Sequence, residues 1–340
     1  MSFISSAKHY KINRRFLCDY SNNIFIKNSN DKISGSGLSL NSKNESLLAS
    51  IGEYIERDIL YNPQINIINA TDKIEVYSFA KNSIIEISKH LFLNELKNCD
   101  SMGFATHTNS LKCIENSFKE FFERQCYIFN YLSKSSAEKV FIDTFKEKEI
   151  IDISFCGIPV EFYNISLIKE IYVILGLALK NDELYIGIKC SNFKDEALYG
   201  VIKEMLLCKN MYKNEKNNKN LYNMNEYSKI YLNLSGRKIW DSYSYLRKSF
   251  KHRKYSNLKS FNLNINNLCK KLYKRFKMDP LLKIITNKNY NKNNIVTTKV
   301  FDLNWFKNML VSQYNDNLYY FIETATGKPL NKSCNFLPFP

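Results

Sequence analysis

The chain has 340 residues, 44% hydrophobic and 14% aromatic, with 49 Lys and Arg against 33 Asp and Glu and a formal net charge of +16. That length and apolar content suffice for a sizeable buried core and exclude a wholly disordered chain. The basic excess suits a polyanionic partner, but it accompanies heavy Asn, Ile and Tyr use throughout, which is the imprint of AT-rich coding.

Nine cysteines occur without any Cys-x-x-Cys, and four histidines (His9, His90, His107, His252) lack zinc-ligand spacing. A structural zinc site is therefore not expected. No apolar signal core opens the chain, and the longest apolar run, Ile171 to Leu179, is too short to span a bilayer. The expected setting is cytoplasmic, with reduced thiols.

In chain order, a short strand is predicted from Tyr20 to Lys27. A helix from about Asn44 to Leu60 follows, capped by Ser42. Strands are expected at Ile65 to Asn69 and Lys73 to Phe79, then helices at Ser83 to Leu96 and Ser110 to Leu132. Val140 to Thr144, Ile158 to Tyr163 and Ile171 to Leu179 read as strands. The last turns through Asn181-Asp182 into Leu184 to Lys189, a β-hairpin. Asn214 to Asn220 is an exposed loop, and about Trp240 to Lys277 is helical. Asn294 to Leu303 and Leu318 to Glu323 close the set as strands. No Pro- or Gly-rich linker divides the chain, so one α/β (α+β) domain over 1–340 is expected. It carries a basic helical embellishment at about 209–280 and an apolar, Pro-ending tail at 336–340.

The most informative pattern is a repeat. Ser50-Ile-Gly-Glu-Tyr-Ile-Glu-Arg57 and Ser117-Phe-Lys-Glu-Phe-Phe-Glu-Arg124 share the form Ser-x-x-Glu-x-x-Glu-Arg. At about 100° per helical residue, the Ser, both Glu and the Arg of each copy fall within roughly a 120° arc. Ile51, Tyr54 and Ile55, and likewise Phe118, Phe121 and Phe122, take the opposite side. Each copy follows a glycine segment, Ser34-Gly-Ser-Gly-Leu-Ser39 and Ser101-Met-Gly-Phe-Ala-Thr106. A third, weaker copy leads from Gly187 to Ala197-Leu-Tyr-Gly-Val-Ile-Lys-Glu204. If the first two helices lie side by side, like charges about 4 Å apart cost about 4 kcal/mol at an effective dielectric near 20. Mg²⁺, which takes carboxylate and phosphate oxygens, relieves that repulsion.

These glycine segments, in this order with the two Glu-x-x-Glu-Arg helices and the later Glu204, resemble the YcaO-domain family. The resemblance covers about residues 30 to 210 and extends to the end through the tail. Leu337-Pro-Phe-Pro340 is similar to the Pro-x-Pro-x-Pro ending of the family's azoline-forming branch. Ser36 stands where the family's first loop carries a lysine, and Phe336 where a further proline would fall.

What the resemblance implies is a YcaO-like fold of repeated strand-loop-helix units around a nucleotide site. It implies ATP and Mg²⁺ as cofactors, with Glu53, Glu56, Glu120 and Glu123 as metal residues. Ser34, Gly35, Gly37, Ser50, Arg57, Ser117, Arg124 and Glu204 become nucleotide-binding residues, and Pro338 and Pro340 the catalytic end. The implied reaction is cyclodehydration of Cys, Ser or Thr in a ribosomal precursor peptide to thiazoline or oxazoline rings. The implied partners are that peptide, an E1-like or similar leader-binding protein and a flavin-dependent azoline dehydrogenase, with a homodimer inside a larger complex as a further arrangement. The sequence leaves open thioamide or macroamidine formation at the same ATP site. A basic nucleic-acid-binding protein is a remoter alternative that no recognition motif supports.

Overall fold

The computed structural model describes residues 10–18, 21–28, 34–39, 42–61, 72–92, 101–142, 155, 158–215, 234–248, 264–285 and 294–339. The chain divides into two compact units, one comprising Met1–Phe121 with Asp279–Leu303 and the other Phe122–Met278 with Asn304–Pro340.

The first unit begins with an antiparallel sheet of β1 (Tyr10–Cys18), β2 (Ser21–Asn28) and β3 (Ser34–Ser39), in that order. Helix α1 (Lys43–Tyr61) follows, with the Ser42 hydroxyl accepting from the Glu45 amide at 3.1 Å, so the cap expected at Ser42 is present. A five-stranded sheet runs β5-β4-β11-β12-β6, from β4 (Lys73–Ser78), β5 (Ser83–Ser88), β6 (Phe104–His107), β11 (Leu281–Ile285) and β12 (Val296–Phe301). Tyr54, Ile55 and Ile59 of α1 close the core over Ile74 and Val76 of β4, Ile87, Phe92, Phe104, Leu281, Ile285 and Phe301.

Four residues of helix α2 (Ser110–Ser133), Cys113, Ser117, Phe118 and Phe121, are fully buried in the first unit. From Phe122 to Leu132 the helix belongs to the second unit. There every residue but Arg124 is buried, the signature of a helix enclosed on all faces rather than a surface one.

The second unit is built on an antiparallel sheet ordered β10-β9-β8-β7: β7 (Glu138–Val140), β8 (Val160–Asn164), β9 (Tyr172–Lys180) and β10 (Glu183–Ser191). The predicted hairpin joins β9 to β10 with Asn181 and Asp182 at φ 48° and 65°, the pair of positive values a two-residue turn needs. Helix α3 (Lys194–Glu215) packs on β10. The short α4 (Gly236–Ser242) and α5 (Ser244–Lys248), then α6 (Ile265–Phe276) and α7 (Asp316–Thr326), complete the unit.

Two expectations are overturned. Residues Ser83–Ser88, expected to start a helix, form β5, because they pair residue for residue with β4, from Ser83 opposite Ser78 to Ser88 opposite Lys73. Leu318 to Glu323, expected as a strand, lies in α7; Asn315 caps the Leu318 amide at 2.9 Å, and Gly327 ends the helix at φ +66°. The strand expected at Ile65 to Asn69 lies outside the described residues. So does the loop expected at Asn214 to Asn220 from Lys216 onward, its first two residues being the end of α3.

Candidate functional site

The glycine segment before α1 is a strand, not a loop, and its glycines are contact points. A methyl group at position 35 would lie 2.1 Å from the Ser50 carbonyl oxygen and 2.5 Å from the Tyr54 nitrogen; at 37 it would lie 2.2 Å from the Ser46 carbonyl oxygen. Only glycine lets β3 press its backbone on α1 this closely. The Ser46 hydroxyl donates to the Gly37 carbonyl, and the fully buried Ser50 hydroxyl donates to the Ser46 carbonyl at 2.7 Å. Ser50, read from sequence as a nucleotide residue, thus lies within the helix–strand packing. Ser34, the first residue of β3, pairs with Lys27 of β2.

Between the two glycines, Ser36 turns its backbone to the acidic face of α1. Its N–H donates to Glu53 Oε2 at 2.5 Å and its hydroxyl to the same oxygen at 3.0 Å. Arg57 takes the other oxygen, Nη2 to Oε1 at 2.5 Å. Ser36 therefore fixes the first candidate carboxylate. Glu56 and Glu120 are partly buried in the same unit. Burial raises the pKa of the Cys113 thiol, and the Glu56 charge adds to that.

The second glycine segment is held differently. Gly103, at φ +71°, occupies a turn where a methyl group would meet the Val300 carbonyl oxygen at 2.1 Å. Its carbonyl accepts from the Val300 amide at 2.8 Å and from the buried Ser117 hydroxyl at 2.5 Å. Ser117, like Ser50, is engaged with backbone. The buried Lys299 donates to the adjacent Met102 carbonyl at 3.1 Å and sits 4.6 Å from the Phe104 ring centre.

In the second unit the third copy repeats the first in detail. A methyl group on Gly187 would lie 2.6 Å from the Val201 carbonyl oxygen and 2.9 Å from the Met205 nitrogen, matching what Gly35 finds at Ser50 and Tyr54. The Ile188 N–H donates to Glu204 Oε2 at 3.1 Å, as the Ser36 N–H donates to Glu53. The weak repeat is thus the same strand–helix unit, with Glu204 in the place of Glu53.

Glu123, from α2, is buried and accepts the Cys190 amide at 2.7 Å, with Arg124 Nε 4.0 Å from its other oxygen. Burial raises its pKa to about 7; Lys189 and Arg124 oppose the rise and Glu204 adds to it. A buried carboxylate beside a second one is the environment a cation relieves. Among the described residues no group of three or more His, Cys, Asp or Glu is arranged to hold a metal. Mg²⁺ does not need one, since it is commonly bound through one or two carboxylates plus phosphate oxygens, and the all-oxygen donor set fits.

The tail is an ordered part of the second unit. Leu337, Pro338 and Phe339 are buried, with the Phe339 amide donating to the Leu337 carbonyl at 2.8 Å. Tyr243 donates to the Pro338 carbonyl at 2.9 Å and its hydroxyl meets that of Tyr127 at 2.7 Å. Phe339 lies 5.1 Å from the Tyr127 ring and 4.5 Å from the Arg124 guanidinium carbon. Pro340 lies outside the described residues. Beyond the residues read from sequence, the structure brings Lys189 to Glu204 at 3.5 Å and Tyr127 and Tyr243 to the tail; a lysine two residues after Gly187, on the same face of a strand, was the one available signal.

No protein-family model and no curated protein sequence matches the chain. Solved structures do. A chain of the E. coli microcin synthetase McbBCD complex superposes with a TM-score of 0.71 at 16% identity, covering 97% of this chain and 96% of that one. The same complex with pro-MccB17 bound gives 0.72. YcaO from Methanopyrus kandleri, bound with AMPPCP and Mg²⁺, gives 0.65 at 10% identity over 86% and 85% of the two chains. A heterocyclase in complex with substrate and cofactor gives 0.63 at 12% identity, covering 98% of this chain and 55% of that one. The fold class is α+β, with glycine-bearing strands pressed on glutamate-bearing helices. More particularly, the chain has the YcaO fold.

Proposed function

We propose that the chain is an ATP- and Mg²⁺-dependent cyclodehydratase that makes thiazoline or oxazoline rings in a ribosomal precursor peptide. The observation that carries this reading is the buried Glu123 carboxylate beside Glu204, in a fold shared with a YcaO protein bound with AMPPCP and Mg²⁺ and with a synthetase bound to a pro-peptide.

The metal residues are Glu53, Glu56, Glu120 and Glu123; Mg²⁺ would supply charge neutralisation on the phosphates. Arg57, Arg124 and Glu204 are the nucleotide residues, while Gly35 and Gly37 seat β3 on α1 and Ser50 and Ser117 hold the scaffold. In the reaction a Cys, Ser or Thr side chain of the peptide attacks the preceding carbonyl carbon and gives up its proton. The resulting oxyanion takes the γ-phosphoryl group and ADP leaves. The amide nitrogen then loses its proton, the C=N bond forms and phosphate departs. The protein's contribution is positioning and electrostatics, as phosphoryl transfer requires, and none of its own side chains is the nucleophile. Pro338 and Pro340 are the residues of the tail assigned to the reacting end. The partners are the precursor peptide, a leader-binding E1-like subunit and a flavin-dependent azoline dehydrogenase, in the cytoplasm. No helix among the described residues is long and apolar enough to cross a membrane.

The test is ring formation by mass spectrometry, a loss of about 18 Da per ring as one water leaves, with purified chain, partner, precursor, ATP and Mg²⁺. The double variant Glu53→Gln, Glu120→Gln is expected to abolish it; full heterocyclisation by that variant rejects the metal assignment. ATP-dependent modification of the precursor that is unchanged after removal of Leu337 to Pro340 and leaves its Cys, Ser and Thr side chains uncyclised redirects the reading to thioamide or macroamidine chemistry.

A further inference from the structure

Each glutamate that receives a strand N–H also has a cation, but the two repeats supply it from different places. On α1 the partner of Glu53 is Arg57, one turn further along the same helix. On α3 the equivalent position is Cys208, buried and donating its thiol to the Leu184 carbonyl at 3.6 Å. The helix offers Glu204 no charge there. Strand β10 does: Lys189 Nζ lies 3.5 Å from Glu204 Oε1.

The path of that side chain is built. Gly187 and Lys189 share the face of β10 that α3 covers, and the Lys189 stem runs across Gly200. A methyl group at 200 would lie 2.4 Å from Lys189 Cγ and 2.9 Å from Cδ, so only glycine leaves the slot open. Gly200 lies one turn before Glu204 on α3, so the slot leads to the carboxylate. Lys189 is also the largest favourable charge acting on the buried Glu123. Its side chain is 43% exposed, so the ammonium has solvent to move into.

We infer that Lys189 is the resident counter-ion of Glu123 and Glu204, and that a divalent cation binds these carboxylates in competition with its ammonium group. A lysine suits that role better than arginine, because a single point charge on a flexible stem is displaced more readily than a bidentate fork. The inference rests on the reading of Glu123 as a metal residue and adds Glu204, placed above with the nucleotide residues, as a second ligand.

The test is Mn²⁺ titration of the full-length, nucleotide-free protein, followed by loss of the free-ion electron paramagnetic resonance signal. Lys189→Met is expected to bind Mn²⁺ roughly tenfold more tightly than the parent, the usual scale of coupling between competing ligands. Lys189→Arg stays as weak as the parent or weaker. Gly200→Ala, which closes the slot by moving a flexible side chain, shifts affinity in the direction of Lys189→Met. In chelator, Lys189→Met melts below the parent because Glu204 loses its ion pair and Glu123 loses the largest charge opposing its burial; a purely structural lysine gives that loss alone, without tighter Mn²⁺ binding. Unchanged or weaker Mn²⁺ binding by Lys189→Met, with parent binding still abolished by Glu123→Gln, overturns this inference only. Absence of any Glu123-dependent Mn²⁺ binding in both proteins overturns it together with the metal reading.

Discussion

Glu123 carries a sign that its motif does not announce. Its carboxyl is raised to about 7 by burial, so between about pH 4.5 and 7 the folded state holds a proton that the unfolded chain has released. Stability therefore falls as pH rises through that window. Glu123→Gln keeps an acceptor for the Cys190 amide and has no charge to bury. In chelator it should match the parent near pH 4.5 and melt progressively higher than it towards about pH 8; a variant less stable than the parent at that upper pH contradicts the burial argument. Lys134 gives the opposite case. Its ammonium lies 3.4 Å from the Tyr131 ring centre and 4.7 Å from that of Tyr245, and burial lowers its pKa to about 8, partly offset by Cys334. The unfolded chain then holds the extra proton between about pH 8 and 10.5, so stability rises with pH there. Melting temperatures of the parent should gain on those of Lys134→Met between about pH 8 and 10, and parallel curves would refute the shift. The glutamates were legible in the sequence as a pattern. Which of them is buried was not, because Glu120 and Glu123 share one motif and differ only in what surrounds their turn of α2.

Among the elements, helix α1 with its Ser42 cap and the hairpin were readable, since Ser42 and Asn181-Asp182 act through their own backbone neighbours. The errors arose where pattern and partner disagree. Ser-Ile-Ile-Glu-Ile-Ser of β5 fits either period, and pairing with β4 decides it. Leu318 to Ile322 is aromatic and β-prone in composition, but Asn315 and Gly327 bracket a helix, and these capping residues outweigh the β-propensity between them. Glycines divide the same way. Gly35 and Gly187 are needed for close approach, at 2.1 Å to the Ser50 carbonyl and 2.6 Å to that of Val201, whereas Gly327 faces open space and is needed only for its positive φ. Alanine at 35 or 187 forces strand and helix apart and moves the amide that holds Glu53 or Glu204; each should lose about 1–3 kcal/mol or more. Gly327→Ala should lose about 1 kcal/mol, from backbone strain alone. Urea midpoints rank the three, and Gly35→Ala as mild as Gly327→Ala would refute the contact.

At the scale of the whole chain, one continuous sequence without a linker reads as one domain, yet the path of the chain is discontinuous. Residues 279–303 leave the second unit to complete the first, and 304–340 return to the second. No local pattern marks that return, because strand order is set by pairing partners far apart in sequence. The consequence is strong. In the sheet order β5-β4-β11-β12-β6, the two late strands occupy the middle, with Leu281 opposite Ser78 of β4 and Val296 opposite His107 of β6. A chain ending at Met278 keeps β4 paired only with β5 and leaves β6 without a neighbour. It also strips Leu281, Ile285 and Phe301 from a core that includes Ile74, Val76 and Phe104. A two-stranded hairpin is marginal in water, so the first unit should not fold in such a chain. Hydrogen exchange read by mass spectrometry is expected to show 73–78 and 104–107 unprotected in the 1–278 chain. Those segments should remain protected in a chain ending at Asn335, which loses only the tail and its Tyr243 and Arg124 contacts. Native protection of 73–78 in the shorter chain would mean that the five-stranded sheet does not depend on its late strands.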